Sequence, residues 1–353
     1  MQRALFHAAR GAGRTTPNPL VGAVIVSPDG VLLGQGFHAR AGEAHAEVLA
    51  LAAAGARARG ATLYCTLEPC AHHGRTGPCA VEIVAAGVAR VVASVEDPNP
   101  LVSGRGFAYL RAHGVQVDVG LGAAESVALN RPFFTLMREG RPFVILKAAT
   151  SIDGFIAEAP DRPAALTSAE ADRHAHRLRA SVDAIGVGVG TVIADDPLLT
   201  PRGAYRERPL TRVVFDRSLR TPPSARLFST AAAGPVIIVT SERAWRCADL
   251  RRPLEARGAE ILVVGGPGLH DAFTLLGDRE MASLLLEGGA AIHAAAWDEE
   301  LVDFVRLYVA PRALGQGVPL LPGRGFSSSA LIDRRVEQLG PDVLIEGYVH
   351  GPR

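Results

Sequence analysis

The stretch that decides the fold of the N-terminal half is HAEVLALAAAGARARGATLYCTLEPCAHHGRTGPC, residues 45–79. Its first part is rich in alanine and predicts a helix over His45–Arg59, with Gly60 as the C′ residue. The β-branched and apolar residues that follow predict a strand over Ala61–Leu67. A second helix is expected over Cys79–Ala86. Helix, strand and helix in succession indicate an α/β domain.

The residues on either side of this stretch extend the same pattern. Apolar runs at Leu20–Val26 and Val31–Phe37 flank Pro28-Asp29-Gly30, which is typical of a hairpin turn. A further strand is expected at Val88–Val95, and a short helix at Gln2–Ala12. The sequence therefore predicts a three-layer α/β domain with helices covering a sheet.

The segment Asn130–Arg141 interrupts this alternation and contains Pro132, so we expect the domain boundary there. It divides the chain into domains 1–141 and 142–353. Helices are expected in the second domain at Ala169–Ala180, Asp249–Arg257 and Ala290–Asp298. The strands expected in it are Phe143–Ala149, Ala184–Val189, Thr211–Asp216, Val236–Thr240, Ile261–Val264, Leu284–Glu287, Phe304–Val309 and Val343–Val349.

Composition excludes several classes of protein. The 353 residues are 48% hydrophobic and 21% charged with a net charge of +1, which is typical of a globular protein and argues against disorder. Near-neutrality argues against binding of nucleic acid by overall charge. No apolar run reaches the roughly 20 residues of a membrane span, and four cysteines are too few for a disulfide scaffold. We expect a soluble cytoplasmic protein without nucleic-acid or membrane partners, and self-association through its alanine-rich apolar surface.

Four residues of the deciding stretch form a pattern typical of the zinc-dependent base deaminases: His45 and Glu47 in His-x-Glu, then Cys70 after proline, then Cys79. One imidazole and two thiolates hold Zn²⁺ and leave a fourth position for water, which the metal ionises near neutral pH. Glu47 is then free to move protons between water, ring nitrogen and departing ammonia.

A structural zinc site is the alternative interpretation of these cysteines. Such a site has four protein ligands, and Cys65, His72 and His73 are the candidates for the fourth. Cys65 lies within an expected strand, where a core position is the ordinary role.

Glycines follow two expected strands of the second domain, at Gly186-Val187-Gly188-Val189-Gly190 and at Gly288-Gly289. Glycines between a strand and a helix let backbone N–H groups reach phosphates. None of them matches the dinucleotide fingerprint, so the residues alone predict only a phosphate-bearing ligand. Lys147 is the only lysine among 37 basic residues. A bias of the genome toward arginine accounts for the many arginines, and we expect the single lysine to mark a position where a compact ammonium is used.

Eight residues separate Cys70 from Cys79, against two in common nucleoside and tRNA deaminases. The insertion carries His72, His73 and Arg75, which are suited to polar or anionic substrate groups. With it, the chain resembles the bifunctional deaminase–reductase family of riboflavin biosynthesis. The matching segments are Thr16-Pro17-Asn18-Pro19-Leu20-Val21-Gly22, His45-Ala46-Glu47, Glu68-Pro69-Cys70 with the insertion, and Asp97-Pro98-Asn99-Pro100.

This resemblance implies a cytidine-deaminase-like N-terminal domain and a dihydrofolate-reductase-like C-terminal domain. The first would remove the exocyclic amine of 2,5-diamino-6-ribosylamino-4-pyrimidinone phosphate, with Zn²⁺ on His45, Cys70 and Cys79, Glu47 as catalytic residue and Asn18 on the substrate. The second would use NADPH to reduce the opened ribose to a ribityl group.

The resemblance also implies the residues of the reductase site. Those expected to bind cofactor are Ala149, Thr191, Asp195, Gly289, Ala290, Ala291, Ile292, His293, Ala294 and Ala295. Those expected to bind substrate, with the two arginines on its phosphate, are Lys147, Arg179, Leu199, Arg202 and Glu287. Asp153 lies at the same rim. As a hypothesis, Lys147 polarises or protonates the sugar oxygen.

The chain departs from the family in the reductase half. Asp161-Arg162-Pro163-Ala164-Ala165 replaces a segment in which the family carries a serine and a tryptophan, at the positions of Pro163 and Ala165. Arg217 stands where the family has a small residue. The alternatives are a deaminase whose C-terminal domain binds nucleotide without reducing it, and a zinc-stapled module without catalysis. A tRNA-base deaminase fits the cysteine spacing less well.

Overall fold

A computed structural model of the chain describes residues 1–71, 77–100, 102–159, 162–163 and 165–351. The chain divides into two compact units, Met1–Gly140 and Arg141–Arg353. His72, His73, Arg75, Asp161 and Ala164, which the sequence analysis singled out, lie outside the described residues.

In the described part of the first unit, five strands form one sheet of order β2-β1-β3-β4-β5, antiparallel at β2-β1-β3 and parallel from β3 to β5. A short 3₁₀ helix follows the second helix at Gly55–Ala58. The strands are β1 (Gly22–Val26), β2 (Leu32–Phe37), β3 (Thr62–Cys65), β4 (Arg90–Ala93) and β5 (Gln116–Val119). The helices are α1 (Gln2–Ala9), α2 (Ala46–Ala54), α3 (Cys79–Ala85), α4 (Arg105–Ala112) and α5 (Ala123–Glu139).

Helix α2 packs unusually close to the sheet because both surfaces carry small residues. A Cβ atom on Gly36 of β2 would lie 2.5 Å from the carbonyl oxygen of Ala46, and one on Gly34 would lie 2.2 Å from that of Ala50. Ala46, Ala50 and Ala54 form the buried stripe of the helix, one turn apart. Since only glycine fits at these two strand positions, the contact fixes the height and direction of α2 on the sheet.

The other face of the sheet is covered by α1. Gly22 of β1 pairs with Phe37 and so lies on the face opposite to Gly36. A Cβ on Gly22 would lie 2.0 Å from the carbonyl oxygen of Ala4 in α1. With α1 on one face and α2 on the other, the unit has the three layers that the sequence predicts.

Two boundaries differ from the sequence analysis. Helix α2 ends at Gly55, which has a φ of 58°, rather than at Gly60, because this earlier glycine already takes the positive φ that ends a helix. The break expected at Asn130–Arg141 is also absent from the residues up to Glu139. These residues belong to the 17-residue helix α5, which runs through Pro132. Burial of Phe133 and Phe134 compensates for the hydrogen bond that the proline removes.

The described part of the second unit contains a nine-stranded sheet of order β12-β11-β10-β9-β13-β6-β14-β17-β16 and a small sheet of order β15-β7-β8. Its strands are β6 (Phe143–Ser151), β7 (Phe155–Ala159), β8 (Arg162–Pro163), β9 (Ala184–Gly188), β10 (Thr211–Phe215), β11 (Val236–Ser241), β12 (Ala259–Val264), β13 (Ser283–Glu287), β14 (Phe304–Ala310), β15 (Val318–Pro319), β16 (Ile332–Leu339) and β17 (Asp342–Tyr348). Its helices are α6 (Ala169–Ser181), α7 (Val189–Asp195), α8 (Glu242–Trp245), α9 (Ala248–Glu255), α10 (His270–Gly277) and α11 (Ala290–Asp298).

The large sheet is parallel from β12 to β14 and antiparallel over β14-β17-β16. Both faces of its centre are buried: Leu284 and Leu286 of β13 belong to one apolar cluster and Leu285 to the other. Continuous apolar runs of this kind are typical of parallel strands with helices on both faces. Two further 3₁₀ segments lie at Arg226–Ala233 and Ser328–Ala330, and no helix among the described residues is long and apolar enough to cross a membrane.

Candidate active sites

The first unit brings three metal-ligand side chains together at the N-termini of two helices. His45 is the N-cap residue of α2, and Cys79 is the first residue of α3. The ligand atoms of His45, Cys70 and Cys79 all lie within 4.8 Å of one another. His45 Nδ1 is 3.2 Å from Cys79 Sγ and 3.6 Å from Cys70 Sγ.

These donors fit a zinc ion. Imidazole and thiolate are the ligands that Zn²⁺ prefers, and hydrogen bonds from Cys79 and His45 lower the pKa of the Cys70 thiol. The N–H of Cys79, at the start of α3, also donates to Cys70 Sγ at 3.4 Å. The surrounding donors therefore stabilise the thiolate form of Cys70 independently of a metal ion.

Glu47 lies in the first turn of α2, two residues after His45, and is 3% exposed. Its Oε2 is buried and has no hydrogen-bond partner among the residues that the structure describes. Burial raises the pKa of its carboxyl to about 7, which keeps a proton available near neutral pH. An unpartnered buried carboxyl oxygen beside a metal-ligand cluster is suited to proton transfer to a bound substrate.

Of the three candidate fourth ligands the structure describes only Cys65, and His72 and His73 lie outside the described residues. Cys65 is fully buried in β3, and its Sγ faces the carbonyl oxygen of Val92 at 4.0 Å, so it belongs to the core. The described part of the chain thus contains three ligands in this cluster and not four. Three such ligands beside the buried, unpartnered Glu47 carboxyl oxygen fit a catalytic site.

Asn18 reaches the same cluster through a second histidine. Its Nδ2 is 3.1 Å from His38 Nε2, and the His38 ring stands edge-on to the His45 ring with centroids 5.4 Å apart. The sequence analysis did not identify His38, since it follows a predicted strand without any motif of its own. Its position links the Thr16–Gly22 segment to the metal cluster.

Glu68, which the sequence analysis named only as part of a matching segment, holds the turn that carries Cys70. Its carboxylate oxygens accept hydrogen bonds from four backbone N–H groups at 2.8–3.2 Å: those of Asp97, Gly104, Gly106 and Phe107. The backbone packs so closely here that a Cβ on Gly106 would lie 1.9 Å from the carbonyl oxygen of Pro69. The segment around Asp97 is thereby fixed against the cysteine turn.

In the second unit, adjacent strands bring charged residues together. Lys147 of β6 pairs in register with Glu287, the last residue of β13. Arg179 of α6 donates two hydrogen bonds to the Glu287 carboxylate, at 2.9 and 2.7 Å, and Lys147 Nζ lies 3.8 Å from Oε2. Burial opposes ionisation of Glu287, but the two cations outweigh it and lower its pKa to about 2.

Tyr308 and His174 extend this cluster and were not found from the sequence. Lys147 Nζ lies 5.4 Å from the centre of the Tyr308 ring, and the Tyr308 hydroxyl is 2.8 Å from His174 Nδ1. Side chains alternate between the two faces of the sheet along β14, and this alternation places Tyr308 on the same face as Lys147. The alternation is the sequence signal from which Tyr308 could have been identified.

The other expected substrate residues adjoin Arg179. Its guanidinium donates to the carbonyl oxygen of Thr200 at 3.3 Å, and the N–H of Arg202 donates to the same oxygen at 3.0 Å. Leu199 is 2% exposed and has a φ of 53°, so the turn that carries Arg202 is tightly constrained.

The expected cofactor residues gather around a glycine turn. Gly288 and Gly289 follow β13 with φ values of 75° and 85° and lead into α11. A Cβ on Gly288 would lie 3.0 Å from Thr191 Cγ2, and one on Gly289 would lie 3.2 Å from Thr191 Oγ1. The open glycine backbone and the N-terminal N–H groups of α11 (Ala290–Asp298) fit a phosphate group of a dinucleotide.

The remaining expected cofactor residues do not all lie at this glycine turn. Ala149 lies in β6 opposite Tyr308, and Asp195 ends α7, where burial raises the pKa of its carboxyl. The ring of His293 is turned into the core, with Nε2 3.3 Å from the carbonyl oxygen of Leu286, and burial lowers its pKa to about 4. The other α11 residues of the set, Ala291, Ile292, Ala294 and Ala295, share that helix.

Of the departures noted in the sequence, Pro163 pairs with Ala157 in the small sheet, and Ala165 is exposed. The Arg217 side chain is also exposed and donates to the carbonyl oxygen of Gly266 at 2.8 Å.

Comparison with known proteins then decides the family. A family model for the zinc-binding region of cytidine and deoxycytidylate deaminases matches residues 1–95, and the model of the RibD C-terminal domain matches residues 142–345. The chain belongs to the RibD family. The riboflavin biosynthesis protein RibD of Aquifex aeolicus (strain VF5) is 39% identical over 348 residues, which are 98% of this chain and 96% of that protein.

Solved RibD structures share the whole architecture. Acinetobacter baumannii RibD matches with a TM-score of 0.85 and 35% identity, covering 98% of this chain and 96% of that one. A diaminohydroxyphosphoribosylaminopyrimidine deaminase/5-amino-6-(5-phosphoribosylamino)uracil reductase from Thermotoga maritima matches with a TM-score of 0.84 and 33% identity, with the same coverage. The expected fold class, a cytidine-deaminase-like domain followed by a dihydrofolate-reductase-like domain, is confirmed.

As a member of the RibD family, the chain is a bifunctional deaminase and reductase of riboflavin biosynthesis. Its deaminase region is of the zinc-binding type and carries the His/Cys/Cys cluster, and its reductase domain depends on NADPH. Nothing in the comparisons favours the alternative in which reductase activity has been lost.

The buried Glu287 is expected to make the free energy of unfolding depend on pH. Because its folded pKa lies below the ordinary 4.5, its contribution to stability is fully present above pH 4.5 and is lost as pH falls towards 2. We expect the difference in unfolding free energy between the wild type and Glu287→Gln to shrink by about 2 kcal/mol from pH 6 to pH 3.

Urea unfolding at the two pH values measures this difference. The control Glu158→Gln removes a carboxylate from the exposed pair with Arg312 and is expected to change the free energy by less than about 1 kcal/mol at either pH. An equal gap between the wild type and Glu287→Gln at both pH values would contradict the assignment.

Proposed function

We propose that residues 1–141 deaminate the pyrimidine ring of 2,5-diamino-6-ribosylamino-4-pyrimidinone phosphate and that residues 142–353 reduce its ribosyl group to ribityl. The Thermotoga maritima protein, which this chain matches over nearly its full length, is named for the deaminase and reductase activities on this substrate, and its likeness supports the proposal. The observation that carries the deaminase proposal is the three-ligand cluster of His45, Cys70 and Cys79 beside the buried Glu47.

In the deaminase step, His45, Cys70 and Cys79 hold zinc, which when bound supplies the Lewis acidity that activates water near neutral pH. Glu47 takes the proton of the attacking water and gives it to the ring nitrogen. The carbon–oxygen bond forms in this step. Glu47 then carries the remaining proton of the added hydroxyl to the exocyclic amine, so that the carbon–nitrogen bond breaks and ammonia leaves. Asn18, held by His38, binds the ring of the substrate.

In the reductase step, Arg179 and Arg202 bind the phosphate of the substrate, and Leu199 and Glu287 line the site. The ring oxygen of the ribose takes a proton from Lys147 as its bond to the anomeric carbon breaks. NADPH, when bound, supplies the hydride to that carbon. The cofactor is held by Ala149, Thr191, Asp195 and the Gly289–Ala295 segment.

The role of Lys147 is supported by its surroundings. Glu287 and Arg179 form a fixed pair at 2.7 Å, and Lys147 lies at the edge of that pair, 3.8 Å from the shared carboxylate oxygen. Because the Glu287 carboxylate already accepts hydrogen bonds from Arg179, it does not hold Lys147 closely, and the Lys147 ammonium can face a substrate. An ammonium gives up a proton far more readily than a guanidinium, which never loses its proton in proteins.

We further propose that the protein acts in the cytoplasm and associates with itself. All four cysteines are free, and two of them are needed as metal ligands, which a reducing compartment favours.

Glu47→Gln tests the deaminase assignment, because the amide keeps the size of the side chain and cannot take up the proton. Ammonia release from the diaminopyrimidine substrate is expected to fall by about 10²–10⁴-fold. Zinc content per chain, and NADPH oxidation on substrate that has already been deaminated, are expected to stay at the wild-type values. Ammonia and NADPH are followed in the same sample.

The control Glu82→Gln changes an exposed carboxylate in α3 and is expected to leave ammonia release unchanged. Ammonia release by Glu47→Gln within tenfold of the wild type would contradict the proton-transfer role. Loss of zinc from that variant would instead assign Glu47 to the metal ligands. Ammonia without NADPH oxidation in the wild type would select a deaminase without a working reductase.

Lys147→Arg tests the reductase assignment. Arginine keeps the positive charge beside Glu287 but holds its proton, so NADPH oxidation is expected to fall by about 100-fold with little change in KM. Lys147→Met, which also removes the charge, is expected to raise KM as well. Unchanged turnover in Lys147→Arg would eliminate the proton-donor role.

A further inference from the structure

The segment Thr16–Gly22, which carries Asn18, has few backbone donors with which to hold its own shape. Pro17 and Pro19 have no N–H group, and the N–H of Asn18 is used in a local turn, 2.8 Å from the carbonyl oxygen three residues earlier. Leu20 therefore carries the first N–H after Asn18 that another part of the unit can bind. Strand β1 begins only two residues later. The position of Asn18 thus depends on contacts made outside a strand ladder.

Asn130 binds both backbone groups of Leu20 with its side-chain amide. The N–H of Leu20 donates to Asn130 Oδ1 at 2.7 Å, and Asn130 Nδ2 donates to the carbonyl oxygen of Leu20 at 2.9 Å. The amide presents one acceptor and one donor side by side, as a neighbouring β-strand does. Asn130 lies in α5 and is 2% exposed. A buried side chain of this helix therefore takes the place of a strand partner for Leu20.

A second residue of α5 supports the end of the segment. Ser126 lies one turn before Asn130 on the same face of the helix, is fully buried, and donates its hydroxyl to the carbonyl oxygen of Thr66 at 2.5 Å. Thr66 exchanges two hydrogen bonds with Gly22: its Oγ1 accepts from the Gly22 N–H, and its N–H donates to the Gly22 carbonyl oxygen, each at 3.1 Å. This face of α5 therefore holds both the middle and the end of the segment.

The bonds of Leu20 reach the metal cluster through the next residue. The carbonyl oxygen of Val21 accepts a hydrogen bond from the N–H of His38 at 2.9 Å. His38 Nε2 is the atom that lies 3.1 Å from Asn18 Nδ2, and the His38 ring stands edge-on to the ring of His45. A shift of Leu20 would therefore move Asn18 relative to His38 and to the metal ligand.

We propose that Asn130 is a positioning residue of the deaminase site, which holds Leu20 so that the amide of Asn18 meets the pyrimidine ring. This deepens the proposed function and rests on the role proposed there for Asn18. Asn130 is buried and bonded to Leu20, so it acts on the substrate only through Asn18. Its bonds to Leu20 involve neither the zinc ligands nor Glu47. The expected effect of removing them is therefore on substrate binding and not on metal content or proton transfer.

Asn130 lies outside the region by which the zinc-binding deaminases are matched. The family model of that region covers residues 1–95. The sequence analysis interpreted Asn130 as the start of a break between the domains, although its side chain serves the N-terminal unit. The bonds join residues that are 110 positions apart, so no short motif indicates them.

Asn130→Leu tests the proposal. Leucine fills the space of the amide but leaves the N–H and C=O of Leu20 without their partners. The KM for the diaminopyrimidine substrate, measured by ammonia release, is expected to rise about tenfold while kcat stays within about threefold of the wild type. Asn18→Ala is expected to have the same effect. Because Asn130 acts through Asn18, the double variant Asn18→Ala/Asn130→Leu is expected to raise KM no further than either single change.

Readouts other than ammonia release report on the fold and on the segment itself. Zinc content per chain, and NADPH oxidation on substrate that has already been deaminated, are expected to stay at the wild-type values. In hydrogen-exchange mass spectrometry, the amides of Thr16–Gly22 are expected to exchange faster in Asn130→Leu than in the wild type. The control Glu125→Gln changes an exposed carboxylate of the same helix and is expected to alter none of these quantities.

Asn130→Asp carries the same series if Asn130→Leu does not fold. The carboxylate keeps the size of the side chain and accepts from the N–H of Leu20, but it repels the carbonyl oxygen to which the amide donates. It is therefore also expected to raise KM, and to raise it no further when combined with Asn18→Ala.

The outcomes separate this role from the proposed function. Effects on KM that add in the double variant, or loss of zinc from the Asn130 variants, would overturn the positioning role. A wild-type KM in the Asn130 variants together with a raised KM in Asn18→Ala would overturn the role of Asn130 alone. A wild-type KM in Asn18→Ala would remove the proposed substrate role of Asn18, and the role of Asn130 with it.

Discussion

The close contact between helix α2 and strand β2 is the constraint on which the metal cluster depends. Gly34 and Gly36 leave no room for a side chain beneath Ala46 and Ala50, so the start of the helix is held close against the sheet. His45 caps this helix and Glu47 lies in its first turn. Even a methyl group at Gly34 or Gly36 would displace α2, and this displacement would move both the metal ligand and the proton carrier.

The second site is organised by charge rather than by close packing. Glu287 is buried at the end of β13 and is stabilised as an anion by Arg179 and Lys147. The two cations differ in their freedom, since Arg179 is fixed by two hydrogen bonds and Lys147 by a single longer contact. One carboxylate thus positions an arginine for binding and leaves a lysine for chemistry.

The sequence predicted those parts of the molecule in which residue type and order are constrained together. His45, Glu47, Cys70 and Cys79 were found because metal chemistry limits the side chains, and eight strands of the large sheet were found because each is a buried apolar run. Strand β16 was missed because it is exposed on both faces, so its sequence IDRRVEQL has no apolar periodicity. Pro132 was interpreted as a break because local propensity does not include the burial of Phe133 and Phe134. Tyr308 and His174 are 134 residues apart in sequence and come together only when the strands pair and the helix packs on them. No short sequence motif contains both residues.

The central claim is that three side chains of this chain hold zinc and leave one position for water. X-ray absorption at the zinc edge of the purified protein measures the number and type of ligand atoms directly. The account predicts one zinc per chain with two sulfur atoms and two nitrogen or oxygen atoms, one of which exchanges with solvent or an added inhibitor. A shell with three sulfur atoms, which would include Cys65, or a fourth protein ligand that does not exchange, would contradict it.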